Sequence, residues 1–155
     1  MIAHHFLDKF HLLIETLLKI FFISIVALVF VAALSRWFGY PIASSIDIAQ
    51  ILFAWTTFLG ADVTLRKNGH IGIDILVQKL SPKMQKRILL FNYTLMSAFL
   101  GTMIFYGIYL CYINYERLFN VIQISYTYAT ASVPVGCTLM LITLICKILD
   151  LREAN

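Results

Sequence analysis

Hydrophobic residues in this chain come in long runs rather than in the alternations or narrow stripes of a soluble fold. From Ile20 to Leu34 no residue is charged and nearly all are apolar. Continuing the helix on both sides gives a first membrane span over about 17–37. Comparable runs predict a second span over about 46–65, a third over 88–112 and a fourth over 129–149. The uncharged stretch around the third runs from Ile88 to Tyr115, 28 residues. That is about 42 Å of helix against a hydrocarbon core of about 30 Å, so this span is predicted to tilt or protrude. The pattern therefore predicts an all-α integral membrane protein, residues 1–155 forming a single transmembrane domain of four helices.

The segments between the runs have patterns of their own. Phe6, Phe10, Leu13, Leu17 and Leu18 recur at helical spacing and give an amphipathic lead into the first span. The region Val31 to Ser35 faintly resembles a signal-peptidase site, but its apolar region is long and the segment is expected to be retained. Ile73, Leu76, Val77 and Leu80 predict a short amphipathic surface helix over about 72–80, and Ser81-Pro82 reads as the cap and first residue of the next helix. Ser97-x-x-x-Gly101 permits close helix approach. Tyr106, Tyr109, Tyr112 and Tyr115 recur every three residues, as an interfacial belt or, alternatively, an aromatic ligand cage.

Composition agrees: 61% of residues are hydrophobic, 13% are charged and the mean hydropathy is +0.85, against roughly 25% charged in a soluble domain. The three cysteines, Cys111, Cys137 and Cys146, lie in apolar runs without metal-ligand spacing and read as small apolar filler. The excess of basic residues falls at the ends of apolar segments, which favours membrane anchoring over nucleic-acid binding. Of the 12 Lys and Arg, only Arg36 and Arg117 lie on the side opposite Lys9, Lys19, Arg66, Lys67, Lys79, Lys83, Lys86, Arg87, Lys147 and Arg152. By the positive-inside rule, both termini and the middle loop are expected in the cytoplasm.

The second span carries two carboxylates, Asp47 and Asp62, about 22 Å apart along the axis and so near its two ends. On a helical wheel Asp47, Gln50, Ala54, Trp55, Phe58, Ala61 and Asp62 share one side, which is expected to face protein. These acids have two readings: a proton or sodium relay, or charges kept near the interfaces and bonded to a neighbouring helix. The basic corner after the span, Arg66, Lys67, Gly69, His70 and Asp74, likewise reads as a substrate or pH-sensing site or as a structural corner meeting the helix dipole and anionic lipid.

Other chemistry is sparse. All four histidines, His4, His5, His11 and His70, lie outside the apolar runs, so the usual haem ligands are missing. No phosphate-binding loop, nucleophile elbow or zinc motif occurs, and neither enzyme activity nor a cofactor is expected. Internal repeats and polar residues at mid-membrane, expected of a transporter acting alone, are also missing.

In order along the chain, Arg36-Trp-Phe-Gly39, Asp47 opening the second span, Trp55-x-x-Phe-Leu-Gly60-Ala61, Arg66 followed by His70-Ile-Gly-Ile-Asp74, and Pro134-Val-Gly136 opening the fourth span resemble the small membrane subunit of tripartite ATP-independent periplasmic (TRAP) transporters. The likeness covers nearly the whole chain. It departs at Ser44 and Ile46, where the family often has a tryptophan and a paired acid, leaving Asp47 alone. The resemblance implies an accessory scaffold in the bacterial inner membrane, bracing a large multi-span elevator-type subunit that carries the substrate and sodium sites. It further implies a periplasmic binding protein that delivers an organic anion such as a sialic acid or a C4-dicarboxylate. Arg36, Asp47, Trp55, Gly60, Asp62, Arg66, His70, Asp74 and Pro134 are then candidates for a partner interface or structural motif. The alternatives are a self-associating four-span channel or exporter using Asp47 or Asp62, and a membrane anchor for a redox enzyme.

Overall fold

In the computed structural model of the chain, the described residues are 2–67 and 82–153, with the side chains of 12–67 and 84–149. The expected surface helix over 72–80, with His70 and Asp74, lies outside them.

Five helices follow one another: α1 (Ile2–Trp37), α2 (Ser44–Arg66), α3 (Pro82–Ile113), the short α4 (Thr127–Thr130) and α5 (Ser132–Glu153). The amphipathic lead and the first apolar run form the single 36-residue helix α1. It ends at Gly39, whose φ of 84° reverses the chain at no steric cost. There the Gly39 and Tyr40 amides bond back to the carbonyls of Arg36 and Ser35, and Pro41 prevents resumption of the helix. α3 opens on Pro82, where the missing amide hydrogen costs nothing. Pro134 falls in the first turn of α5, the other place a helix tolerates it. Four segments are long and apolar enough to cross a membrane: Leu12–Trp37, Ser44–Arg66, Met84–Ile113 and Thr127–Leu149. The chain is thus all-helical, with four helices suited to span a bilayer.

The long helices pack in an open series, α1 on α2, α2 on α5 and α5 on α3. Position in the series decides burial. The most apolar stretch of the end helix α1 has no buried residue and that of α3 only 6%, whereas the inner α2 and α5 bury 22% each. The core lies where α2, α3 and α5 meet, around Leu65, Leu100, Cys137 and Leu144, with Phe58, Met96, Met103 and Met140 packed against it.

Two expectations are corrected here. α2 does not bury one side only: Ser45, Ala49 and Leu59 are buried beyond the expected stripe, while Ala61 and Gln50 within it are exposed. A helix flanked by two neighbours has two packed sides, which a single stripe cannot represent. Close helix approach is found elsewhere than at Gly101, which has open space within 4 Å of where a Cβ would stand. It occurs at Gly136, where a Cβ would lie 2.5 Å from Phe58 Cβ, and at Gly107, where it would lie 3.1 Å from Pro134 Cδ.

Candidate functional site

The polar groups of this apolar chain gather at the two ends of α2. At its first turn Asp47, only 9% exposed, reaches the connection between α3 and α4. Its Oδ2 accepts hydrogen bonds from the backbone amides of Val121 (3.0 Å) and Ile122 (3.3 Å). Two consecutive amides turned toward one carboxylate form a small anion-accepting nest, and charge-assisted bonds of this kind are the stronger class. Gln123, next in sequence, takes the left-handed φ of 54°, an uncommon conformation for a residue with a Cβ.

The same connection is fastened at several further points. Gln50 Nε2 donates to the Tyr126 hydroxyl (3.1 Å), and the Trp55 indole donates to the Tyr128 carbonyl (2.9 Å). Ser125 Oγ donates to the carbonyl of Tyr115 (2.8 Å), and Thr127 Oγ1 to that of Cys111 (2.9 Å). Phe119 stacks on Tyr126 at 4.6 Å, and the Arg117 guanidinium lies 4.8 Å from the centre of the Tyr126 ring. An antiparallel bridge joins Leu118 and Ser125. Residues 114–126 are consequently a built loop, latched to α2 by Asp47 and Gln50, while Trp55 fastens α2 to α4 at Tyr128.

At the other end of α2, Asp62 is completely buried. Its Oδ2 is paired with Arg66 one turn on, and its Oδ1 accepts a hydrogen bond from Thr143 Oγ1 of α5 (2.9 Å). Lys147, one turn beyond Thr143, donates to the Leu65 carbonyl (2.5 Å), answering a carbonyl that the end of a helix leaves without an intrahelical partner. Lys67 pairs with Glu15 of α1 at 2.9 Å. This end joins α1, α2 and α5 by charged or polar side chains. A carboxylate so deep in an apolar protein is tolerable because a cation and a hydroxyl offset the cost of removing it from water.

The candidate residues are thus brought together in two groups. Asp47 binds the 114–126 loop and Trp55 binds Tyr128 of α4 just after it; Asp62 binds Thr143 of α5 and Arg66 pairs with Asp62. Pro134 packs over Gly107, and Gly60 has no atom within 4 Å of where its Cβ would be. Arg36 is exposed at the end of α1. Tyr106, Tyr109, Tyr112 and Tyr115 are all exposed, between 60% and 82%, and enclose no cage. Among the described residues no three His, Cys, Asp or Glu side chains are placed to hold a metal. Sequence reasoning missed Thr143, Lys147 and the paired loop residues Ser125 and Tyr126. Lys147 four residues after Thr143 on an apolar helix is a signal that points to one polar side, but nothing in the sequence indicates Asp62 as their neighbour.

Comparison with known proteins agrees with this architecture. The family model described as tripartite ATP-independent periplasmic transporters, DctQ component, matches residues 25–154. A Haemophilus influenzae protein assigned as a TRAP transporter small permease is 36% identical over 83 residues, which cover 50% of this chain and 47% of that protein. The family match begins within α1 and runs through both latched ends of α2 to the end of α5. The chain therefore belongs to the DctQ component family of TRAP transporters, as a multi-pass small membrane subunit.

Proposed function

We propose that this subunit is the static brace of a sodium-coupled uptake system for an organic anion of the sialic acid or C4-dicarboxylate class. It sits in the bacterial inner membrane with both termini in the cytoplasm and holds a large, multi-span, elevator-type subunit, to which a periplasmic binding protein delivers the substrate. A domain that moves its cargo across a membrane needs a fixed neighbour to move against. The observation that carries this reading is that both carboxylates of α2 are occupied by contacts within the chain. A relay acid must exchange its partners, whereas these two bind a loop and a helix. The most apolar stretches of the end helices α1 and α3 hold almost no fully buried residue, and the exposed apolar side chains suit lipid on one part and a large hydrophobic partner on another. The polarity of the basic residues supports the orientation: Lys19, Arg66, Lys67 and Lys147 lie toward one end of the helices and Arg36 and Arg117 toward the other.

The test is reconstitution. The tagged chain, expressed with the genes beside its own, should copurify with a many-span membrane protein. Vesicles holding the complex and the binding protein should accumulate organic anion on a sodium gradient, and vesicles holding this chain alone should accumulate none. Organic-anion or ion flux through the isolated chain, abolished by Asp47→Asn or Asp62→Asn, would instead establish a self-sufficient channel or exporter.

A further inference from the structure

Where α1 ends and α2 begins, the two helices diverge around a hollow of about 380 Å³, within the range of roughly 300–1,000 Å³ typical of small-molecule sites. Val29, Ala32, Ala33, Ile42 and Ile46 line it, together with Arg36. The cause is local. Ala32 and Ala33 lie one turn before Arg36 on the same side of α1, and two small side chains leave space that the bend at Gly39 and Pro41 does not fill.

The polar inventory of the hollow is short. Ser45 also lines it, but its hydroxyl is already donated to the Ile42 carbonyl at 2.6 Å. Arg36 is exposed and has no hydrogen bond or ion pair among the described residues. Its guanidinium offers five donors in a fork that matches phosphate. Beside it Trp37, Phe38 and Tyr40 are 84%, 72% and 82% exposed, the amphipathic aromatic cluster that settles at headgroup depth. A cation at headgroup depth above an apolar hollow complements one kind of molecule on both counts. A soluble organic acid would satisfy Arg36 but would leave the rest of its polar groups against alanine, valine and isoleucine.

We propose that this hollow is a binding site for an anionic glycerophospholipid, its phosphate paired with Arg36 and one acyl chain lying against Ala32, Ala33 and Ile46. The bound lipid fills the notch between α1 and α2 and completes the apolar surface of the series at its open end. Phosphatidylglycerol is the probe of this chemistry.

Trp37 is the reporter, one of two tryptophans in the chain. The full chain is placed in phosphatidylcholine vesicles, and chain-brominated phosphatidylglycerol or chain-brominated phosphatidylcholine is titrated in while tryptophan fluorescence is followed. The brominated phosphatidylglycerol should quench at lower mole fraction, with a preference of about fivefold for one basic residue engaging an anionic lipid. Arg36→Gln should abolish the preference and Arg36→Lys retain part of it. Ala33→Phe, which fills the hollow and keeps the charge, should abolish it too. Equal quenching by the two lipids in the unaltered chain, or an undiminished preference in Arg36→Gln, overturns the proposal. An undiminished preference in Ala33→Phe shows charge acting without the hollow and overturns it as well. Relief of quenching by millimolar glycerol 3-phosphate would mark a soluble-anion site and overturn the lipid assignment.

Discussion

Asp47 and Asp62 are the same residue on the same helix, each close to one end of a membrane span, yet they are used differently. Asp47 keeps 9% of its surface accessible and collects two amides of a loop, whereas Asp62 keeps none and is closed between a cation of its own helix and a hydroxyl of another. One carboxylate orders a connection, and the other fixes how two helices pack. What separates them is the alternative partner. Val121 is an exposed residue, so water can take the place of Asp47 there, whereas Asp62 is closed off from water altogether.

That difference can be broken experimentally, beginning with the larger effect. Asp62→Ala removes the buried carboxylate that pairs with Arg66 and accepts from Thr143, and breaking a buried pair by removing one partner costs about 3–5 kcal/mol. The variant should unfold at markedly lower SDS concentration than the unaltered chain, and Asp62→Ala combined with Arg66→Met should recover a large part of the loss. Recovery is the diagnostic result, since it separates the stranded charge from the lost hydrogen bond to Thr143.

Gly136→Ala tests the packing that lies between the two acids. Its Cβ would meet Phe58 at 2.5 Å and the Phe58 backbone carbon at 3.3 Å, so α2 and α5 must separate, at about 1–3 kcal/mol. Gly60→Ala meets nothing and should leave the SDS midpoint of the isolated chain at or slightly above its original value, because alanine is the better helix former.

Asp47→Ala should cost less, about 1 kcal/mol, because water can reach the freed amides. Its effect should be local: faster hydrogen exchange at Val121 and Ile122, with protection in the core around Leu100 and Leu144 unchanged. The smallest effect is expected at the Glu15–Lys67 pair, which lies at the surface with Lys67 63% exposed. Glu15→Gln should leave the SDS midpoint indistinguishable from that of the unaltered chain.

The helices were legible in the sequence because a membrane imposes a simple requirement, about 20 consecutive apolar residues with every backbone polar group satisfied within the segment. Gly39 and Pro41 marked the end of α1, and Pro82 the start of α3, through backbone chemistry that acts over one or two residues. Asp62 and Arg66, four apart, share a helix face, yet the sequence alone points Asp62 to a neighbouring helix and Arg66 to the basic corner, not to each other. The more distant partners were not legible either. Thr143 lies 81 residues from Asp62, and Val121 lies 74 from Asp47, and no periodicity specifies which turn of one helix meets which turn of another. Glycine shows the same limit. Gly101, in a recognised small-residue spacing, is open, and Gly107 and Gly136 make the close approaches, because a packing glycine is identified by the neighbour that needs the space.

The account holds that the series of helices is a fixed frame. The most direct measurement is the distance between spin labels at Ile23 on α1 and Phe105 on α3, exposed positions on the two end helices, in the assembled transporter with the three native cysteines replaced by alanine. It is measured by pulsed electron resonance without ligand, with sodium, and with sodium, substrate and binding protein. A frame predicts one distance distribution common to all three conditions. A shift approaching the roughly 5 Å of a one-turn helix slip would show the small subunit moving with the transport cycle and would contradict the account.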